Sequence, residues 1–310
     1  MNPPPAAPQP AALRSLLRHF RAQRPLRGGS LLVTIFGDAI APRGGAVTLE
    51  SLIRLAAPFG LTERLVRTAV ARLARAGWLT ATRSGRRSEY RLSPQGAERF
   101  REATQRIYGS AAATWDGRWT LLVLPAGRRR PARLRDELRW LGFGQLAATL
   151  FAHPGTSVEE TREWLGAASG TADALLLRSD ALDVPTARRL VAQGWDLAEL
   201  ERRYRRFTAR FAPLERSLGA HALNGDAAFM VRTLLIHEYR KIHLQDPLLP
   251  ATLLPPQWVG TRAYELARRI YAAVFSPAEA FLSVSARRLH AALPPADAAA
   301  YRRFGGIDGS

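Results

Sequence analysis

Between Leu61 and Leu92 the chain places a short Arg-studded helical stretch, then Gly77-Trp78-Leu79, then two strand-like runs separated by Ser84-Gly85-Arg86-Arg87. Few folds accommodate that order. At about 100° per residue, Leu65, Val66, Ala69, Val70 and Leu73 fall on one side of the segment 62–76, and Arg64, Arg67, Thr68, Ala71 and Arg75 on the other. The outer side carries three guanidinium groups, two small residues and no carboxylate, which suits close approach to a groove edged by phosphates and base acceptors. Glu63 sits in the first turn, where the helix dipole favours an acid. Thr62 is placed to cap the first free N–H groups. Upstream, Leu49 to Ala57 reads as a shorter helix, and Pro58-Phe59-Gly60 as the turn of a helix-turn-helix.

An Arg face by itself also suits any surface helix of an Arg-rich chain. The run after it adds the second half of the pattern. Leu79, Ala81 and Arg83 alternate with Thr80 and Thr82, Ser84-Gly85 allows a tight reversal, and Ser88 to Leu92 returns. Its tip presents Arg83, Arg86 and Arg87. Helix and hairpin together read as a winged helix-turn-helix that binds double-stranded DNA, with Thr62, Arg64, Arg67, Thr68, Arg75, Arg83, Arg86 and Arg87 as the contacting residues.

Charge points the same way. Lys plus Arg number 45 against 26 Asp plus Glu, a net +19. Residues 1–115 hold 18 basic and 6 acidic side chains, so most of the surplus lies in the first third of the chain. Such a field attracts polyanions without separating DNA from RNA or an anionic membrane. The absence of cysteine excludes disulfides, thiolate metal sites and a cysteine nucleophile, and fits a cytoplasmic protein. Apolar runs stay short of a membrane span, and no membrane partner is expected.

Residues 1–25 are expected to form a disordered, basic N-terminal extension: five prolines fall in the first ten positions, without the apolar core of a secretion signal. Within it, Leu13, Leu16, Leu17 and Phe20 recur at helical spacing among Arg14, Arg18 and Arg21. That segment suits packing on the first domain, an arm on DNA, or a membrane-surface helix. A DNA-binding domain over 26–114 begins with a helix from Ser30 to Ala41 and ends with one from Pro94 to Tyr108. Over 115–184, strands at Trp119–Leu124, Ala147–Ala152 and Ala174–Leu177 alternate with helices at Pro131–Trp140 and Ser157–Leu165. This order suggests a small α+β domain of ferredoxin-like type, with other strand orders open. Residues 185–294 read as an all-α C-terminal domain with helices Thr186–Ala192, Leu197–Phe211, Ala227–His243, Gly260–Phe275 and Pro277–Leu293, followed by a tail over 295–310. The fold class is therefore α+β and multidomain.

Several strings carry a resemblance across this order of parts. Val66-Arg67-Thr68 with Arg72-Leu73 and Gly77-Trp78-Leu79, then Trp119-Thr-Leu-Leu-Val and Leu141-Gly142-Phe143-Gly144, then His237-Glu238-Tyr239-Arg240 with Asp246-Pro247-Leu-Leu-Pro and Leu253-Leu254-Pro255 resemble the PaaX-type repressors of phenylacetate catabolism, over about residues 26–293. The resemblance implies the same three domains, a homodimer, and repression relieved by an aryl-acetyl-CoA thioester such as phenylacetyl-CoA; a regulator of the same architecture answering to another acyl-CoA, or to no ligand, fits the sequence as well. A symmetric dimer in turn implies an inverted-repeat operator.

An effector of that kind needs apolar walls and cations for phosphate oxygens. Arg128, Arg129 and Arg130 beside a helix start form one candidate. Tyr239, Arg240, Lys241 and His243 with Trp258 form another, against the alternative of an ion-pair network with Glu238 and Asp246 that fixes the helical fold.

No bound cofactor, metal or enzymatic activity is expected. The middle domain of the family is similar to small CRISPR spacer-acquisition nucleases, whose metal-binding Asp ends the first strand. Here that strand ends Leu124-Pro125-Ala126, and a nuclease would have to use a carboxylate such as Asp136 or Glu137 instead. His237 and His243 stand two positions too far apart for a zinc H-E-x-x-H helix, and Gly142-Phe143-Gly144-Gln145-Leu146-Ala147 follows a helix where a dinucleotide loop follows a strand. Neither the G-x-S-x-G nor the G-x-x-x-x-G-K-[ST] string occurs.

Overall fold

The computed structural model describes residues 10–24, 28–109, 114–125, 132–167, 173–180, 183–218 and 223–307. In chain order these form α1 (Ala11–Arg21), α2 (Gly28–Ile35), β1 (Ala46–Thr48), α3 (Leu49–Ala56), α4 (Glu63–Arg75), β2 (Leu79–Ser84), β3 (Arg87–Leu92) and α5 (Pro94–Tyr108). Then come β4 (Arg118–Val123), α6 (Ala132–Trp140), β5 (Gly144–Ala147), β6 (Leu150–His153), α7 (Val158–Ala167) and β7 (Leu175–Asp180). The helices α8 (Val184–Gly194), α9 (Leu197–Leu218), α10 (Gly225–His243), α11 (Val259–Ser285) and α12 (Ala298–Tyr301) complete the chain. Two compact units result: residues 1–109, 206–241 and 263–310 make the first, and 110–205 with 242–262 the second.

In the first unit α1 departs from the expected disordered extension. Leu13, Leu16, Leu17 and Phe20 are all buried, and the Phe20 ring meets Phe59 and His237 edge-on at 6.2 and 5.4 Å. Burial of four large apolar side chains, at about 1.5–3 kcal/mol each, explains why an acid-free helix holds its place. The helix expected from Ser30 to Ala41 is α-helical only to Ile35. It widens into a π turn over Phe36–Ile40 and tightens into a 3₁₀ turn over Ala41–Arg43. Asp38, on the π turn, is buried by this change.

Strand β1, three residues long and hidden behind Gly44-Gly45, was not legible in the sequence. It pairs with β3, which pairs with β2, giving an antiparallel sheet of order β1-β3-β2. Two expected helices near the C-terminus form one, since α11 runs through Pro277 and stops at Ser285. The next residues are drawn to the sheet instead: the Arg287 carbonyl accepts from Thr48 N at 2.9 Å, and Leu289 N donates to Glu89 Oε2 at 2.7 Å. The expected tail also folds, with Phe304 buried among Tyr108, Tyr239, Tyr264 and Tyr271.

In the second unit the element order is β-α-β-β-α-β, because the run Ala147–Ala152 that reads as one strand is a reversal between β5 and β6. The strand order is β5-β6-β4-β7 with every neighbour antiparallel. Alternate residues of β4 enter two cores. Leu122 and Leu124 join Leu138, Phe143, Phe151 and Leu165 on one face. Trp119 and Leu121 join Ala187 and Val191 of α8 and Leu249 and Leu253 on the other. The proline-dense connector 246–256 thus closes one face of this sheet.

Candidate nucleic-acid interface

The turn into α4 is built locally. Ala57–Phe59 form a 3₁₀ turn, and Gly60 takes a φ of +82°, a conformation that favours glycine. Thr62 then caps α4 by accepting from Leu65 N at 3.3 Å. Val66, Ala69 and Val70 face the interior, and α2 packs against α4. Leu65 does not share that face: it is 43% exposed, because it lies at the margin of the apolar arc.

The outer face matches the expected one. Thr62, Arg64, Arg67, Thr68, Ala71 and Arg75 are exposed. Three of these side chains are engaged within the helix or its cap. Thr68 Oγ1 donates to the Arg64 carbonyl at 2.8 Å, and Arg67 pairs with Glu63 across one turn, Nη2 to Oε1 at 2.7 Å. Thr62 contributes its oxygen to the cap, as the sequence suggests, and Arg67 is tethered to Glu63.

The hairpin pairs Ser84 with Arg87 across Gly85-Arg86, and Gly85 has a φ of +57°. Arg83, Arg86 and Arg87 are all exposed. Arg83 pairs with Ser88 and Arg87 with Ser84, so successive pairs put Arg83 and Arg87 on opposite faces of the ribbon. The tip therefore points cations to both sides. Its base is held by Ser93, whose hydroxyl donates to the Gly77 carbonyl at 2.5 Å and accepts from Gly96 N at 2.9 Å. Trp78 meets Phe100 edge-on at 5.5 Å.

Of the expected effector residues, Arg128, Arg129 and Arg130 lie outside the described residues. Tyr239, Arg240 and Lys241 belong to the first unit, and His243 and Trp258 to the second. Their partners are those of a structural network. Arg240 donates from Nε to Thr34 Oγ1 at 2.8 Å and from Nη2 to the Ser30 carbonyl and hydroxyl at 2.7 and 2.8 Å, tying α10 to α2. Lys241 and Arg210 pair with Glu238 at 2.9 and 3.3 Å. The Tyr239 ring is buried against Phe207 and Phe304. In the second unit the Tyr204 hydroxyl donates to Asp246 Oδ2 at 2.7 Å and lies 3.0 Å from His243 Nδ1, with Trp258 edge-on to the Tyr204 ring.

The second unit also contains a cavity of about 1240 Å³ that the sequence did not announce. Trp140, Phe143 and Trp195 supply aromatic surface, and Arg139, Arg188 and Arg203 supply cations, from α6, α8 and α9. Trp195 is fixed by its indole N–H, which donates to the Gly142 carbonyl at 3.1 Å. Asp136, one of the two carboxylates named above for a nuclease, also lines it and stands 3.9 Å from Arg139. Among the described residues no cluster of three or more His, Asp or Glu is arranged to hold a metal ion. No described helix is long and apolar enough to cross a membrane.

Three family models match this chain: PaaX-like protein over residues 27–96, the PaaX protein central Cas2-like domain over 112–191, and the PaaX-like protein C-terminal domain over 195–284. The transcriptional repressor PaaX of Escherichia coli (strain K12) is 36% identical over 303 residues, spanning 96% of both chains. The chain belongs to the PaaX family. Among solved structures, the uncharacterized protein Rv0674 from Mycobacterium tuberculosis is 25% identical with a TM-score of 0.48, over 74% of this chain and 89% of its own. Within this PaaX-family chain, the string His237-Glu238-Tyr239-Arg240 has a physical reason. His237 Nδ1 lies 3.1 Å from Thr34 Oγ1, and with Arg240 it fastens α10 to the helix that carries α4.

Proposed function

We propose that this PaaX-family chain is a DNA-binding transcriptional repressor of an aromatic-acid catabolic operon, with residues 28–108 acting as a winged helix-turn-helix and the second unit as a ferredoxin-like middle domain. The observation that carries this reading is the exposed face of Arg64, Arg67 and Arg75 on α4, in one compact unit with the hairpin tip of Arg83, Arg86 and Arg87. The identity to a transcriptional repressor over nearly the whole chain supports it. Arg64 and Arg67 face the major groove, and the tip grips the flanking backbone. The protein acts as a homodimer on an inverted repeat, and an aryl-acetyl-CoA thioester releases it by preferring the state that does not bind DNA.

The cavity of the second unit is the place we assign to that effector. Its indole and phenyl surfaces suit an aryl group, and its arginines suit phosphate oxygens. Selection of duplexes from a random-sequence pool, followed by titration of phenylacetyl-CoA into the complex, tests both parts. The expected result is an enriched inverted repeat that the thioester releases. Trp140→Ala combined with Arg188→Gln then raises the thioester concentration for half-release about tenfold or more, equivalent to about 1.4 kcal/mol, and leaves duplex affinity unchanged. Release at the same concentration moves the effector out of this cavity, and failure to enrich any duplex removes the repressor reading.

A further inference from the structure

We propose that the face of α1 bearing Arg14, Arg18 and Arg21 is a third duplex-contacting surface, which holds phosphates beside the half-site read by α4. This rests on the DNA-binding reading above and extends it from α4 and the hairpin to α1.

Sequence supplies the first observation. No acidic residue precedes Asp38, and five arginines do. Asp38 itself is buried, so the first exposed carboxylate of the chain is Glu50. Exposed segments that serve only solubility mix both signs; this stretch of sequence supplies only one.

Helical geometry supplies the second. Arg14, Arg18 and Arg21 stand at i, i+4 and i+7, within about 60° of one another around the helix, and all three are exposed. The helix dipole rewards Arg18 and Arg21 in the last turn but disfavours a cation in the first. The first turn of α1 nevertheless holds no acid, and Arg14 lies at its edge. The dipole therefore accounts for Arg18 and Arg21 and leaves Arg14 unexplained. His19 adds little at neutral pH, because burial, then Arg210, hold its pKa below the ordinary value against the pull of Glu238.

Position supplies the third. Arg21 Nη2 donates to the Pro58 carbonyl at 2.5 Å, and its stem lies against Gly60, where an added Cβ would meet Arg21 Cγ at 3.2 Å. Pro58 and Gly60 belong to the turn that delivers Thr62 and the start of α4. The cationic stripe of α1 therefore ends at the threshold of the reading helix.

The partner follows from what the other face does. A membrane-surface helix needs an apolar face to insert, and here Leu13, Leu16, Leu17 and Phe20 are consumed in the protein core. What remains outward is charge without an apolar complement, and the duplex backbone has the matching chemistry.

The test uses the full chain and its best pool-selected duplex, with affinity measured from about 50 to 200 mM salt. Arg14→Gln with Arg18→Gln leaves Arg21 in place to hold the turn. Losing two phosphate contacts lowers the slope of log affinity against log salt by about 0.9 for each, so the wild type loses about tenfold more affinity than the variant across that range. Arg202→Gln with Arg205→Gln, on α9 in the second unit, removes the same charge and is expected to leave the slope near the wild-type value. Equal slopes for the wild type and the α1 variant overturn the proposal while the DNA-binding reading stands. Loss of binding to phosphatidylserine vesicles with an unchanged duplex slope overturns it in favour of a membrane surface. A wild type that binds no duplex removes the DNA-binding reading and this inference with it.

Discussion

Asp38→Asn is expected to destabilise the first unit by about 3–5 kcal/mol, the usual consequence of deleting one member of a buried ionic cluster, with a lower urea midpoint as the measurement. Asp38 Oδ2 accepts from Arg232 Nε at 2.7 Å, and Oδ1 accepts from the Tyr108 hydroxyl at 2.7 Å, the Tyr271 hydroxyl at 2.9 Å and Arg303 Nη1 at 3.0 Å. Its carbonyl accepts from Arg232 and Arg303 as well. Glu279 bridges Arg232 and Arg43 from the other side at 2.6 and 2.5 Å. Three guanidinium groups thus share two carboxylates, and the asparagine variant leaves Glu279 alone among them. Arg303 has further support, lying 4.4 Å over the Tyr108 ring. Combining Asp38→Asn with Arg303→Gln should cost less than the two single variants summed, since the second removes a charge the first left unpaired.

The same cluster fixes a pH dependence. Burial alone would raise the Asp38 pKa, but Arg232, then Arg303, and the two tyrosine hydroxyls outweigh it and hold the carboxyl below its ordinary 3.8. A depressed carboxylate contributes stability that is complete above the unfolded value and is lost as pH falls through the folded one. The wild type should therefore lose stability more steeply than Asp38→Asn as pH drops below about 4. Burial pushes the Tyr271 hydroxyl up to about 12, so it stays a donor throughout that range. Parallel acid limbs for the two proteins would show that Asp38 is not ionised in the fold.

This cluster marks where the sequence stops being readable. Asp38, Tyr108, Arg232, Tyr271 and Arg303 are brought together over separations of up to 265 residues, and no local pattern announces such a meeting. Local patterns did reach α4, because it is stabilised by neighbours three and four residues away and by its own cap at Thr62. The hairpin was legible for the same reason. Strand β1 was too short to show alternation, and the reversal between β5 and β6 passes through Ala148-Thr149 without the glycine or proline that would mark it. The candidate site divides along the same line. Exposed arginines on α4 and the hairpin follow from helical and strand periods, whereas the choice between an effector site and an ion-pair network at Arg240 and Lys241 turns on partners from α2 and α10 that periodicity does not name. The cavity lined by Trp140 and Trp195 depends on three helices meeting, which periodicity cannot report.

Replacing Arg64 and Arg67 by alanine is expected to weaken operator binding by about 1–3 kcal/mol for each side chain that reads a base, and to relax specificity there. Both are exposed, and alanine is a strong helix former, so the fold should survive and the loss should appear in duplex affinity alone. The Glu63–Arg67 pair gives the prediction a second sign. Glu63 and Arg67 are 58% and 57% exposed, so the pair adds little to stability, yet it holds a guanidinium that DNA would otherwise claim and places a carboxylate near the phosphates. Glu63→Gln should therefore strengthen duplex binding while lowering the urea midpoint only slightly, by the loss of about 0.3–1 kcal/mol of helix-dipole stabilisation, and in Arg67→Ala the same substitution should help less, because only the repulsion of the carboxylate remains to be relieved. If Glu63→Gln instead weakens binding in both backgrounds, the acid positions the reading face by some other contact. If Arg64→Ala and Arg67→Ala leave a fluorescence-anisotropy titration of the selected operator unchanged, α4 is not the helix that reads it.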